Sequence, residues 1–153
     1  MLTIYKPALD DLWFKQEMLE DRKTMQYNHA WGGCIPFPRK DWPDWYDYWI
    51  INNENKRYYR YLVNDGKFIG EIAYHYNNEE GHYLADIIIH AKYRGCGYGK
   101  EGLKILCEEA KKNGIKVLYD DIAIDNTAIK IFIDCGFSIE YKTVDKIYLK
   151  KVL

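Results

Sequence analysis

The sequence predicts an α/β fold: a mixed, mainly antiparallel central sheet with one parallel strand pair, flanked by helices. Three observations lead there. Residues 83–90 read Tyr-Leu-Ala-Asp-Ile-Ile-Ile-His, and three consecutive isoleucines suit a pleated surface covered on both sides. A glycine-studded turn, Arg94-Gly95-Cys96-Gly97-Tyr98-Gly99-Lys100, then feeds a helical pattern, and a second β-branched run follows at 115–124. A helical crossover sets two such strands parallel. Upstream, Asn64-Asp65-Gly66-Lys67 joins two strand-like runs as a tight hairpin, so the first half of the sheet is antiparallel.

The elements follow in order. Residues 2–5 form a short opening strand, closed by Lys6-Pro7. Asp10-Asp11 can start a helix reaching about Glu20, with Leu9, Leu12, Trp13, Gln16 and Leu19 outlining one face. A second short helix is expected over residues 22–28. Residues 27–49 are the least regular part and the most aromatic: Gly32-Gly33 and Pro36-Phe37-Pro38 mark a loop, and Asp41 resembles the N-cap of a helix over residues 42–52. Strands at 57–63 and 68–76 flank the hairpin, and Asn77-Asn78-Glu79-Glu80-Gly81 turns the chain into the central strand. In the next helix Leu103, Leu106, Cys107 and Ala110 recur at helical spacing, with Lys104, Glu108, Lys111 and Lys112 left for water; Asn113-Gly114 stops it. After the strand at 115–124, a helix over 126–135 capped by Gly136 leads to strands near 137–141 and 147–152.

Composition narrows the function. The chain has 153 residues with no break in composition, which fits one domain spanning residues 1–153. A formal net charge of −1 argues against nucleic acid as partner, since a binder would show a basic face or tail. The first residues carry no apolar run of signal length and no segment approaches a membrane span. Cys34, Cys96, Cys107 and Cys135 have neither paired nor metal-type spacing, so reduced thiols in a cytoplasmic protein are expected.

Chemistry concentrates at the glycine-rich turn. A turn of this kind entering a helix leaves backbone N–H groups unpaired beside the positive end of the helix dipole, which is an anion site with phosphate as its usual occupant. The nucleotide-hydrolase loop fails, because Lys100 is followed by Glu101 and Arg94 stands where its first glycine belongs. The dinucleotide pattern is present as Gly97, Gly99 and Gly102, with Asp120 and Asp121 downstream. It begins several residues after the strand, however, and too little chain follows Asp121 for a doubly wound sheet. A third pattern fits the whole segment. Arg94-Gly95-Cys96-Gly97-Tyr98-Gly99 resembles the R/Q-x-x-G-x-G/A signature of the GNAT superfamily of acetyltransferases, and residues 125–137, Asp125-Asn126-Thr127-Ala128 to Cys135-Gly136-Phe137, resemble that family's N-x-x-A-x-x-x-Y-x-x-x-G-F block, in the right order.

The resemblance implies acetyl-coenzyme A as co-substrate, with no metal. The turn amides of Arg94, Gly95, Cys96, Gly97, Tyr98, Gly99 and Lys100 would hold its pyrophosphate, and backbone groups near Ile88, Ile89 and His90 would meet its pantetheine arm. Asn126 matches the family asparagine facing that arm. Phe132 departs from the pattern: it stands where many members carry the tyrosine that protonates the departing thiolate. Water or another tyrosine could substitute, no dedicated acid could be needed, or catalysis could be lost. As base or amine anchor the candidates are Asp86 and Glu71, which counting outward from the Asn77–Gly81 turn brings close to opposite one another; neighbouring carboxylates repel, raising a pKa or creating a site for an ammonium group. A carboxylate within an isoleucine-rich strand is costly without a reason. His29, His75, His82 and His90 are further possible bases without metal spacing.

The aromatic segment bears two readings: rings covering the sheet and building core, or a pocket wall that recognises the acceptor by cation–π contact, with Tyr27, His29 and Trp31 as its contacts. The expected activity is N-acetylation of a primary amine, of a small molecule or an amino terminus, by direct attack in a ternary complex. A non-catalytic acyl-coenzyme A sensor, motivated by Phe132, and a dinucleotide-dependent redox protein are the alternatives. Family analogy is compatible with a homodimer.

Overall fold

Seven strands form one sheet in the computed structural model, which describes all 153 residues. They are β1 (Thr3–Tyr5), β2 (Arg57–Asn64), β3 (Lys67–Asn77), β4 (His82–Ile89), β5 (Val117–Ala123), β6 (Ser138–Lys142) and β7 (Lys146–Val152). Their order across the sheet is β1-β2-β3-β4-β5-β7-β6, and every neighbouring pair is antiparallel except β4 with β5. The β2–β3 turn carries φ of 50° at Asp65 and 72° at Gly66, the left-handed pair that matches a hairpin turn to strand twist.

The parallel ladder is short. Only Tyr83↔Leu118 and Leu84↔Tyr119 pair across it, whereas β3 and β4 pair continuously from Gly70↔Ile89 to Asn77↔His82. Strand β5 is held along its length by β7, from Val117↔Val152 to Ala123↔Lys146. Beyond Leu84 the two central strands therefore part and leave a wedge in the middle of the sheet.

Helices α1 (Leu12–Glu20) and α2 (Trp42–Tyr46) cover one face of the sheet, and α3 (Tyr98–Lys112) with α4 (Ile129–Asp134) covers the other. The α3 side packs Leu103, Leu106, Cys107 and Ala110 onto Leu62, Ile72 and Leu118, the stripe expected from its periodicity. Gly102 lets α3 approach closely, because a Cβ there would sit 2.7 Å from Leu62 Cδ1 and 3.1 Å from Ile87 Cδ1. The α1 side packs Leu12, Phe14 and Met18 against Tyr59, Tyr61 and Ile88. No helix is long and apolar enough to cross a membrane.

Several local expectations are corrected. The first helix buries Leu12, Phe14, Lys15, Met18 and Leu19, while Leu9 and Trp13 are exposed; a 3-10 turn at Leu9–Asp11 precedes it and changes the phase of the buried stripe. The short helix expected at 22–28 is a run of 3-10 turns, Thr24–Trp31, ended by Gly32 at φ 104°. Asp41 does stand at the N-cap position of a helix that starts at Trp42, but its backbone is already helical at the end of a 3-10 turn, Arg39–Asp41, and its side chain makes no cap bond. The helix it leads into widens after Tyr46 into a π turn, Asp47–Ile51. The last helix starts at Ile129 rather than 126, because Asn126 Oδ1 accepts the Ala128 N–H at 2.9 Å and holds a turn. Glu71 stands opposite Ile88 and Asp86 opposite Ala73, so the two carboxylates are diagonal neighbours on one face rather than partners.

Candidate active site

The wedge between β4 and β5 is the mouth of a cavity of about 450 Å³. Its walls bring together Asp86 to Ile89 from β4, the glycine-rich turn, the start of α3, Asp120 to Ile122 from β5, and Asn126 to Phe132 from the β5–α4 region. One concave surface thus joins the elements marked by the two sequence motifs, Arg94–Lys100 and Asn126–Phe132, whose first residues are 32 positions apart.

The rim of the cavity is the glycine-rich turn. Gly97 is the N-cap of α3 at φ 82°, a left-handed conformation that only glycine takes without strain, and Gly95 shares it at φ 83°. These kinks turn the chain so that the first amides of a 15-residue helix open toward the cavity, where Gly97, Tyr98, Gly99 and Lys100 all line the wall. A Cβ at either position 95 or 97 would meet no atom within 4 Å, so space for a ligand lies against the bare backbone. Along β4 the direction of peptide groups alternates. His90 donates its N–H to the Ile69 carbonyl at 2.9 Å, on the β3 side, which turns the amides of Ile87 and Ile89 toward the wedge.

The opposite end of the cavity is acidic and aromatic. Asp86 and Asp120 approach from the two parted strands, and neither makes an ion pair; Asp120 Oδ1 accepts only the Asp121 N–H, at 2.8 Å. Asp86 meets solvent through the cavity but is otherwise enclosed, and burial, followed by the charge of Glu71, raises its carboxyl from 3.8 to about 6; Lys15 opposes the shift. Burial also lifts Asp120 well above the ordinary carboxylate range, with Asp86 and Asp121 adding to it. Tyr27 and Trp31 come from the 3-10 segment and complete the wall. Burial, then Asp86, Glu71 and Asp120, raise the Tyr27 phenol far above its usual value, so it keeps its proton throughout the neutral range.

Other sequence candidates sit elsewhere. Glu71 is buried in an ion pair with Lys15 at 3.1 Å and accepts the Tyr59 O–H at 2.8 Å, diagonal to Asp86 on the same face of the sheet. The His90 side chain is buried too: its Nε2 is 3.0 Å from Glu17 and its Nδ1 accepts from the Lys92 N–H. His29 lines a smaller adjoining cavity of about 300 Å³, with Nε2 3.1 Å from Asp125. Cys96 projects into solvent at the turn, and all four cysteines are free. Phe132 lines the cavity with its ring edge-on to Phe137 at 5.1 Å, an apolar site with no proton to offer. Within the aromatic segment Phe37 and Trp42 are core, Trp45 and Trp49 pack beside it, and Tyr27 and Trp31 line the cavity.

A model of the family described as "Acetyltransferase (GNAT) family" matches residues 16–137. The chain belongs to the GNAT acetyltransferases. Solved structures carry the same fold over nearly the full length. Spermidine N-acetyltransferase from Vibrio cholerae, in complex with CoA and spermine, superposes with a TM-score of 0.84 at 18% identity, covering 99% of this chain and 95% of that one. The protein yncA from Salmonella typhimurium, with its cofactor acetyl-CoA, gives 0.78 at 16% identity over 99% and 94%. A ribosomal-protein-alanine N-acetyltransferase from Brucella melitensis gives 0.78 at 18% identity over 99% of both chains. In this GNAT chain the residue that sequence reasoning passed over is Asp120, noticed only as a dinucleotide ligand. A carboxylate between Leu118 and Ile122, both buried, breaks an apolar alternation and was the signal available.

Proposed function

We propose that this protein is an acetyl-coenzyme A-dependent N-acetyltransferase whose acceptor is a small cationic primary amine. The observation that carries the proposal is the single cavity that joins a helix-terminal phosphate rim to unpaired carboxylates across the wedge. Coenzyme A would lay its pyrophosphate on the amides from Gly97 to Lys100 and its pantetheine arm along the open edge of β4. The Ile87 and Ile89 amides would be the donors that stabilise an oxyanion there.

The amine must lose a proton to become a nucleophile. Asp86, with a carboxyl near 6, is ionised above that pH and can both attract an ammonium group and accept its proton. The neutral amine nitrogen attacks the thioester carbonyl carbon; as the tetrahedral intermediate collapses the C–S bond breaks, the nitrogen gives up its second proton to become an amide, and the departing thiolate of coenzyme A takes up a proton in its place. Tyr27, which lines the same cavity and is held protonated, can relay that proton from nitrogen to sulfur, taking one up as it gives one, where Phe132 has no hydroxyl to do so. Trp31 and Tyr27 would offer ring faces to the cation. A protein amino terminus is the competing acceptor, and it would need the cavity mouth to admit a peptide.

The first test is a thermal-shift titration with acetyl-coenzyme A beside the nicotinamide dinucleotides. A ligand of the folded state raises Tm as its concentration passes Kd. A rise with acetyl-coenzyme A alone supports the reading, and release of free thiol with an amine panel then identifies the acceptor. No rise sinks it. The apolar setting of Phe132 favours one second reading, an acyl-coenzyme A sensor: tight cofactor binding with no acetyl transfer to any amine in the panel would establish that instead.

A further inference from the structure

The guanidinium of Arg94 is committed to three backbone carbonyls. Its Nε donates to Ile89 at 3.1 Å, one terminal nitrogen to Lys23 at 3.1 Å and the other to Thr24 at 2.7 Å. Ile89 ends β4, while Lys23 and Thr24 begin the 3-10 segment that carries Tyr27 and Trp31 to the cavity. A second tie runs beside the first, since Ala91 donates its N–H to Thr24 Oγ1 at 3.0 Å and Thr24 is fully buried. The far end of the segment is fastened across the wedge. His29 reaches Asp125 at 3.1 Å, and the Lys146 ammonium, itself 3.4 Å from Asp121, lies 5.3 Å from the Trp31 ring centre. The segment is therefore a strap over the wedge, tied to the glycine-rich turn at one end and to the β5 side at the other.

We propose that Arg94 is a positioning residue for the acceptor wall: it couples the glycine-rich turn to the strap bearing Tyr27 and Trp31, so that cofactor seated on the turn orders the acceptor side. This rests on the acetyl-coenzyme A reading above. A planar fork with fixed donor directions can satisfy three carbonyls on two separate segments at once, which a lysine ammonium on a flexible stem does not reproduce. The ties at Arg94 are stronger than those at the far end, where His29 and Asp125 are both exposed and screened by water. Loosening the strap therefore requires breaking the Arg94 end.

Trypsin provides the assay, because Lys23 is exposed while its carbonyl is held by Arg94. The intact protein is digested with and without coenzyme A, and the fragment ending at Lys23 is quantified by mass spectrometry for wild type, Arg94→Gln and Arg94→Lys. Without ligand, Arg94→Gln should be nicked about fivefold faster or more, since cleavage tracks the population of the open strap. Coenzyme A should slow nicking of wild type and fail to slow it in Arg94→Gln, although calorimetric affinity for coenzyme A changes by less than about threefold. Arg94→Lys keeps the charge and should resemble Arg94→Gln. An unchanged nicking rate in both variants overturns the proposal. So does a fall in coenzyme A affinity of about tenfold that Arg94→Lys rescues and that is absent for pantetheine, which would make Arg94 a phosphate ligand. If wild type does not bind coenzyme A, the functional reading falls and the coupling with it, while the ligand-free rates still decide whether Arg94 holds the strap.

Discussion

Replacing Lys15 by methionine is the perturbation with the largest consequence outside the cavity. Lys15 Nζ lies 3.1 Å from Glu71 Oε1, with side-chain exposures of 10% and 2%, and the Trp45 and Tyr59 ring centres lie 4.9 and 4.8 Å from the ammonium. At that separation the pair attracts by about 5 kcal/mol at an effective dielectric near 20, and the two rings add about 1–2 kcal/mol. Desolvation of both ions offsets most of this in the intact protein. It is not recovered when only one ion is removed, so Lys15→Met, which leaves the Glu71 carboxylate with the Tyr59 O–H alone, should cost about 3–5 kcal/mol. Set against a typical total of about 5–15 kcal/mol, that is a large share. Urea unfolding measures it: with a slope of about 2 kcal/mol/M the midpoint should fall by about 2 M. The double variant Lys15→Met with Glu71→Leu should recover most of the loss, because no unpaired ion remains. A cost for Lys15→Met below about 1 kcal/mol, or a double variant as unstable as the summed singles, would refute the account of a mutually dependent buried pair. A second readout follows from the charges around Asp86, which Glu71 raises and Lys15 lowers. Removing Lys15 alone should move the acid limb of the rate profile to higher pH.

Asp86→Asn should act on pH dependence of stability and on rate together. The folded carboxyl is raised from 3.8 to about 6, so between those values the folded state binds more protons than the unfolded one. That contribution is fully present below about pH 4 and lost as pH rises through 6; Asp86→Asn should therefore melt higher than wild type at pH 7.5 and match it near pH 4. Its turnover should drop by about 100-fold or more, and the acid limb expected near pH 6 from the Asp86 carboxyl should disappear. Gly97→Val forces a β-branched residue into φ 82° and puts a side chain where no protein atom lies within 4 Å. Calorimetry should show coenzyme A binding weakened by about tenfold or more with the fold retained; unchanged affinity would remove the phosphate rim from the site. Phe132→Tyr restores a hydroxyl at the cavity wall. If thiolate protonation limits turnover, kcat should rise for thioesters with poor leaving groups and stay level for good ones; a uniform loss would show that the apolar contact with Phe137 matters more.

Much of the site was legible because glycine and periodicity leave marks in a sequence. Gly95 and Gly97 are glycines that adopt left-handed backbone, and they marked the turn that forms the cavity rim; Leu103, Leu106, Cys107 and Ala110 marked the face of α3 that packs on the sheet. Strand order across the hairpins followed from turn chemistry alone, and β2 through β5 fall within two or three residues of their expected bounds. Periodicity was weaker for the segment before β2, where 3-10 and π turns replace regular helices and shift which side of each turn is buried.

Local pattern determined the strands, the glycine turn, the long helix and so the family to which this chain belongs. The tertiary structure decided which polar residues are free. Glu71 and Asp86 are equivalent in sequence, two carboxylates in apolar strands, yet one is neutralised by Lys15 from a helix 56 positions away and the other is left facing a cavity with Asp120. Arg94 begins a phosphate motif but spends its donors on carbonyls of residues 23, 24 and 89. A charge's role is set by what neutralises it, and the neutralising partner arrives from elsewhere in the chain; only folding brings the two together.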